Sequence, residues 1–130
     1  MLADEPVKMQ IEFCPYCFMQ LERQVEVCPG CGENISQFKV SASFDQRLIL
    51  ALRHPVDDVR MRVIFAIRKR GVVTAIDSLL TCAFNQPADI VQNLEIIATL
   101  KSFPPSVTRD AALARLVMSH PSELVRKAAR

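Results

Sequence analysis

The chain has 130 residues, half of them apolar, and a formal charge of +2. It can therefore bury a core, which excludes a disordered polyelectrolyte, and its length suits one ordinary domain or a small module joined to a modest one. Its apolar runs fall well short of the roughly 20 residues of a membrane span, and Met1 to Pro6 lack the basic stretch and apolar core of a secretion signal. No membrane contact and a cytoplasmic location are expected, and in that reducing setting closely paired cysteines favour metal binding over disulfides.

The charge is unevenly spread. Residues 1–43 hold three Lys or Arg against six Asp or Glu, while residues 44–130 hold thirteen against eight. Four of the five cysteines and two of the three glycines also lie in the first stretch. We place a boundary at Ser41 to Ser43, with a cysteine-rich module over 1–42 and a helical module over 43–130.

In the first module, Cys14-Pro15-Tyr16-Cys17 is followed after ten residues by Cys28-Pro29-Gly30-Cys31-Gly32. Two residues between paired cysteines let one turn aim both sulfurs at one point, and two such turns supply the four soft ligands of a tetrahedral zinc site. Pro15 and Pro29 stiffen the turns, and Gly30 and Gly32 permit backbone angles that other residues resist. Cys14, Cys17, Cys28 and Cys31 are thus the candidate ligands of one structural Zn2+, in a closed shell without the open position a catalytic zinc needs. Iron takes the same ligand set. Cys14 to Cys17 alone match the glutaredoxin tetrapeptide, but the second pair and the lack of a βαβ setting argue against redox chemistry. Alternation at Val7, Met9, Ile11 and Phe13, at Val25 and Val27, and at Phe38 and Val40 predicts short strands. A module of roughly 35 residues cannot bury enough apolar surface to fold alone, so the metal is expected to supply much of its stability. The stretch from Phe13 to Ile35 resembles the short bacterial zinc-ribbon family, in which two Cys-Pro-x-Cys-Gly knuckles flank a small hairpin. Leu21 and Val27 fall where that family places its apolar contacts, whereas Phe18 stands where its first knuckle has glycine.

From Ser43 onward the signals are helical. Ser43 and Gln46 form a potential capping box, and Arg68-Lys69-Arg70-Gly71 reads as a helix C-terminus. Pro55, Pro87 and Pro121 suit first helical turns, where Asp57, Asp58, Asp89 and Glu123 complement the positive helix end. Helices are predicted at about 44–53, 56–70, 73–85, 88–101, 106–119 and 122–130.

These helices repeat. The three prolines are each followed four positions later by Val59, Val91 and Val125, and then by Arg60, Gln92 and Arg126. His54-Pro55 recurs as His120-Pro121. A fixed period of this size signals stacked helical repeats. Residues 44–130 resemble the HEAT-like repeats of bacteria, with Gln92 departing from the valine-arginine pattern. The resemblance implies an all-α HEAT-like solenoid of about two and a half repeats behind a small β zinc ribbon. The apolar residues Leu124, Val125, Ala128 and Ala129 of the last helix have no following helix to cover them. We expect a truncated or uncapped end there, covered by further chain, a partner or a second copy.

A non-catalytic protein–protein interaction, scaffold or regulatory role is the expected function, with a protein partner. The alternative is a nucleic-acid-binding accessory role using Arg60, Arg62, Arg68, Lys69 and Arg70. Against it, the four-thiolate zinc and six acidic residues leave the ribbon half negative. His54 and His120 occupy matching positions before helix prolines, which points to a boundary role rather than catalysis. Cys82 reads as a buried small apolar residue.

Overall fold

A computed structural model describes residues 12–21 and 25–130. The fold is a small two-stranded antiparallel sheet followed by seven α-helices among the described residues. The chain divides into two compact units, Met1–Arg47 and Leu48–Arg130. No helix among the described residues is long and apolar enough to cross a membrane.

In the first unit, β1 (Glu12–Phe13) pairs with β2 (Gln20–Leu21), with Glu12 opposite Leu21 and Phe13 opposite Gln20. Val27 bridges Asn34, and α1 (Ile35–Ser41) follows directly. The predicted strand positions Val7, Met9 and Ile11 lie outside the described residues. Phe38 and Val40, also read as strand, are instead helical. Asn34 overrides their alternation: its side chain accepts the Gln37 amide at 2.8 Å, capping a helix start. The helix brings Phe38 edge-on to Tyr16, with ring centroids 5.3 Å apart. Cys14, Leu21, Cys28 and Ile35 are the buried centre, flanked by Tyr16 and Val25. Half of that small core is cysteine.

Helix α2 (Phe44–Ala51) opens with the expected capping box: the Ser43 amide donates to Oε1 of Gln46 at 2.9 Å, and the Gln46 amide donates to Oγ of Ser43 at 3.1 Å. In the second unit, α3 (Asp57–Arg70) ends at Gly71, whose φ of 66° is left-handed. The Val72 amide then reaches back to the Ile67 carbonyl at 3.1 Å, closing the helix end. A 3-10 turn (Val73–Ala75) leads into α4 (Ile76–Asn85), followed by α5 (Ile90–Ser102), α6 (Val107–Ser119) and α7 (Glu123–Ala129).

The order of packing is the informative feature. Helix α3 packs on α5 and α5 on α7, forming one row; α4 packs on α6 in a second row, and both contact α5. Ile64, Ile67, Leu79, Ile96, Leu100 and Leu116 are fully buried between the rows. Each such leucine or isoleucine contributes about 2–5 kcal/mol by the usual cost of truncation to alanine.

Two expectations change at the helix ends. Pro55, Pro87 and Pro121 precede the N-caps Val56, Asp89 and Ser122 instead of occupying first turns. The histidine rings explain two of them. Nδ1 of His54 accepts the Val56 amide at 3.0 Å, and Nδ1 of His120 accepts the Ser122 amide at 3.0 Å, so each His-Pro-x segment closes a turn of its own before the helix begins. Second, Val125 and Ala129 of α7 are buried, and Ala128 packs against the core; of the four apolar residues expected to be uncovered, only Leu124 is exposed. The Nζ of Lys101 donates to the carbonyls of Ala128 at 2.7 Å and Arg130 at 3.1 Å, satisfying the end of α7.

Candidate metal centre

The two cysteine knuckles are built alike. The Cys14 amide donates to the Met19 carbonyl at 2.9 Å and the Phe18 amide to the Cys14 carbonyl at 2.8 Å. In the second knuckle, Cys28 donates to Glu33 at 3.0 Å and Gly32 to Cys28 at 2.9 Å. Equivalent closure demands equivalent backbone, and Phe18 duly takes a left-handed φ of 59° beside the 77° of Gly32. The phenylalanine noted as a departure therefore adopts the glycine conformation at a steric cost of about 1–2 kcal/mol. At Gly30 the constraint is spatial: a Cβ there would lie 2.7 Å from Sδ of Met19.

These turns bring all four sulfurs of Cys14, Cys17, Cys28 and Cys31 within 4.8 Å of one another. Across the knuckles, Cys14 Sγ lies 3.7 Å from Cys31 Sγ, and Cys17 Sγ lies 3.6 Å from Cys28 Sγ. Metal–sulfur bonds of about 2.3 Å in a tetrahedron place sulfurs about 3.8 Å apart, so the donor set fits a metal ion of that kind. A disulfide needs about 2.05 Å, and all four cysteines are free thiols. Cys14 and Cys28 are buried, while Cys17 and Cys31 are exposed, so one edge of the cluster faces solvent.

The electrostatics also call for a cation. The Cys31 amide, helped by that of Gly30, lowers the Cys28 thiol to about 7 against the opposing effect of burial. Gly30 donates its amide to Cys28 Sγ at 3.3 Å. Cys31 has the Glu33 amide pulling down, yet burial and the three other sulfurs push it up to about 12. Cys17 is likewise raised: the Met19 amide lowers it, and burial with the sulfurs of Cys28 and Cys14 outweighs that amide. The Cys28 thiolate forms readily, and the cluster then resists charge at Cys17 and Cys31. A divalent ion would remove that resistance, with Cys14, Cys17, Cys28 and Cys31 as the residues that could hold it.

The residues singled out elsewhere fall into two groups. Arg60 is 5 % exposed, so it is no exposed helix edge and no phosphate contact. Its Nη1 donates to the carbonyls of His54 at 2.8 Å and Pro55 at 3.0 Å, and its Nε donates to Oε1 of Gln92 at 2.7 Å. Arg126 repeats the first contacts on His120 at 2.7 Å and Pro121 at 3.0 Å. The His-Pro and valine-arginine motifs are thus two ends of one device, in which the arginine ties its helix to the preceding turn. Arg68 is held by Thr99 at 3.0 Å, by the Glu95 carbonyl at 2.9 Å and by the Glu95 carboxylate. Arg62, Lys69 and Arg70 remain exposed. Asp57 accepts the Asp58 amide at 2.8 Å, as a charged first turn should. Cys82 is buried, its Sγ donating to the Leu52 carbonyl at 3.5 Å, and burial pushes its thiol up to about 11.

Sequence reasoning missed a buried polar chain. Gln92 passes from Arg60 to Asn93, whose Oδ1 accepts Nε2 of Gln92 at 3.2 Å. Nδ2 of Asn93 donates to the carbonyls of Gln86 at 3.0 Å and Ala83 at 3.3 Å, and lies 3.2 Å from Nε2 of His120. Because Nδ1 of His120 accepts from Ser122, the ring proton sits on Nε2 and donates to Ala83 at 3.3 Å. The one available signal was Gln92 itself. An arginine there would bury a second guanidinium against Arg60, whereas the amide accepts from it.

Comparison with protein-family models, with characterised proteins and with solved structures found no match to this chain.

Proposed function

We propose that this chain is a non-catalytic protein-interaction module, in which one structural zinc ion clamps a ribbon and HEAT-like helix pairs present a binding surface. The observation that carries the zinc assignment is the set of four sulfurs at tetrahedral spacing, a closed shell with no position left for substrate or water. Zinc is preferred to iron because the aromatic packing shown among the described residues at this small core is sparse, Tyr16 with Phe38 edge-on to it. When bound, the ion supplies folding free energy and charge neutralisation. The chain's own residues do the remainder: Gly30 and Cys31 amides stabilise sulfur charge, and Cys14 and Cys28 form the ribbon's core.

Support for the HEAT-like reading comes from the two rows of helices and the twice-used histidine-proline-arginine tie. Support for a binding role comes from the use of the polar groups. The buried ones are committed to holding helices together, which favours a rigid surface over a reaction centre. The negative formal charge of residues 1–43 agrees with that reading, and a reducing, cytoplasmic setting is part of the same proposal.

The nucleic-acid alternative keeps the exposed Arg62, Lys69 and Arg70 but loses Arg60 and Arg68 to internal contacts. A gel-shift titration of the zinc-loaded chain with random-sequence DNA and RNA at low and moderate salt separates the two. The interaction reading expects no shift at 50 mM salt, a typical low-salt condition. A salt-sensitive shift that Arg62→Ala with Lys69→Ala abolishes establishes the alternative instead.

A further inference from the structure

Helix α6 carries an apolar strip that the fold leaves uncovered. Val107, Ala111, Ala114 and Met118 follow one another at intervals of four, three and four residues, and all four are exposed. Val107 at 88 % and Met118 at 83 % are the two most exposed large apolar side chains of the helical unit. The other side of the helix faces the core through Ala112, Leu113 and Leu116. Apolar residues at that alternating interval are the seam of a coiled coil, and a seam is buried only against a second helix.

The charges beside the seam identify that second helix. Of the three charged residues of α6, Arg109 is half-buried and donates to the Phe103 carbonyl at 2.8 Å, which leaves Asp110 and Arg115 exposed. The Asp110 side chain stays 65 % exposed although Nε of Arg109 lies 3.3 Å from it. Arg115 lies over the Phe84 ring, 5.5 Å from its centroid, and has no carboxylate partner among the described residues. Five residues span about 500° of helix, so Asp110 and Arg115 sit about 140° apart, one on each flank of the seam. A helix carrying charge of a single sign would satisfy one flank and oppose the other. A second copy of α6 satisfies both. About a two-fold axis parallel to the helix, Asp110 of each copy meets Arg115 of the other, five places on, which is the ion-pair spacing of parallel coiled coils. About a two-fold axis across the helices, each charge would meet its own kind. The alanines in the middle of the seam let the two backbones approach closely. Beside the seam, Glu123 and Lys127 of α7 pair with each other, and Asp77 of α4 shares a cavity with Thr108, two turns away from Arg115.

We infer that the chain self-associates through α6 as a parallel two-fold pair, with Val107, Ala111, Ala114 and Met118 in the seam and reciprocal Asp110–Arg115 ion pairs on its flanks. This inference rests on the interaction reading above and names a second copy of the chain as one partner. A pair of 13-residue helices falls below the roughly 1,200 Å² of a standard interface, so the association is reversible and depends on concentration.

The test is sedimentation equilibrium of the full chain over a rising concentration series. The expected mass climbs from the 14.6 kDa of one chain toward twice that value. Asp110→Arg and Arg115→Asp, each alone, set like charges across the pair and should weaken association at least tenfold. Mixed together, the two variants regain both ion pairs, and association should return. The chain carrying both changes should associate as the native one does. Leu94→Glu, on α5, should leave association unchanged, and helical circular dichroism confirms that each variant folds. A monomer at every concentration, association indifferent to the single charge reversals, or a double variant that stays monomeric overturns the inference. A photo-crosslinker placed at position 114 or 94 in the cell separates its failure from that of the broader reading. Adducts from 114 to α6 of a second copy support the inference. Adducts to a different protein alone, from either position, overturn this partner but leave an interaction module standing. Adducts at neither position overturn both.

Discussion

Single residues in this chain carry unusually separable loads. Phe18 holds a left-handed backbone that its knuckle requires and that its side chain opposes. Phe18→Gly should therefore tighten the ribbon by about 1 kcal/mol, seen as slower metal loss to a chelator. Unchanged or faster loss would show that the ring's contacts outweigh the strain. Arg60 is the opposite case, a buried cation whose partners are all internal. Arg60→Met removes the charge but leaves the carbonyls of His54 and Pro55 and the Gln92 amide facing an apolar chain. A loss of about 3 kcal/mol in the unfolding free energy of the helical unit is expected, measured by urea denaturation. The same guanidinium acts on His54. Burial first, and the Arg60 charge second, hold that imidazole below its ordinary 6.5. A lowered value favours the neutral ring in the fold, so its contribution is complete above pH 6.5 and is lost as pH falls through the folded value. His54→Asn, which keeps an acceptor for the Val56 amide but cannot titrate, should flatten the acid side of the helical unit's stability profile. An unaltered profile would remove His54 from that dependence.

At the scale of the element, most of the helical boundaries were legible because their chemistry is local. The Ser43–Gln46 box and the Gly71 ending each lie within a few residues of the backbone they serve. Gly71→Ala isolates one such signal. No atom lies within 4 Å of the added Cβ, so the expected loss of roughly 1–2 kcal/mol is conformational alone. Calorimetry of the two proteins checks it. What was misread depends on longer reach. Phe38 and Val40 alternate as strand residues do, yet Asn34 at one end and the Tyr16 ring from the first knuckle make that segment a helix. Arg60 sits in a helix whose sequence neighbours are charged, and only the arrival of Gln92 from thirty-two residues away buries it. Sequence spacing singled out the four cysteines whose sulfurs the fold brings within 4.8 Å of one another, because two tight turns concentrate their constraints into a short pattern. It could not show that Cys17 and Cys31 form the exposed edge.

For the whole molecule, the two units draw stability from different sources, and that difference is measurable. Among the described residues, unit one has four buried side chains, two of them cysteines. Unit two has a continuous apolar core of twenty buried residues that includes no candidate ligand. Metal removal should therefore unfold the first and spare most of the helical signal of the second. The most direct measurement of the central claim is native mass spectrometry of the purified chain before and after acid denaturation. The account predicts one zinc ion per chain, released together with the ribbon's structure. Iron, a metal-free native chain, or a mass fitting a disulfide among Cys14, Cys17, Cys28 and Cys31 would contradict it.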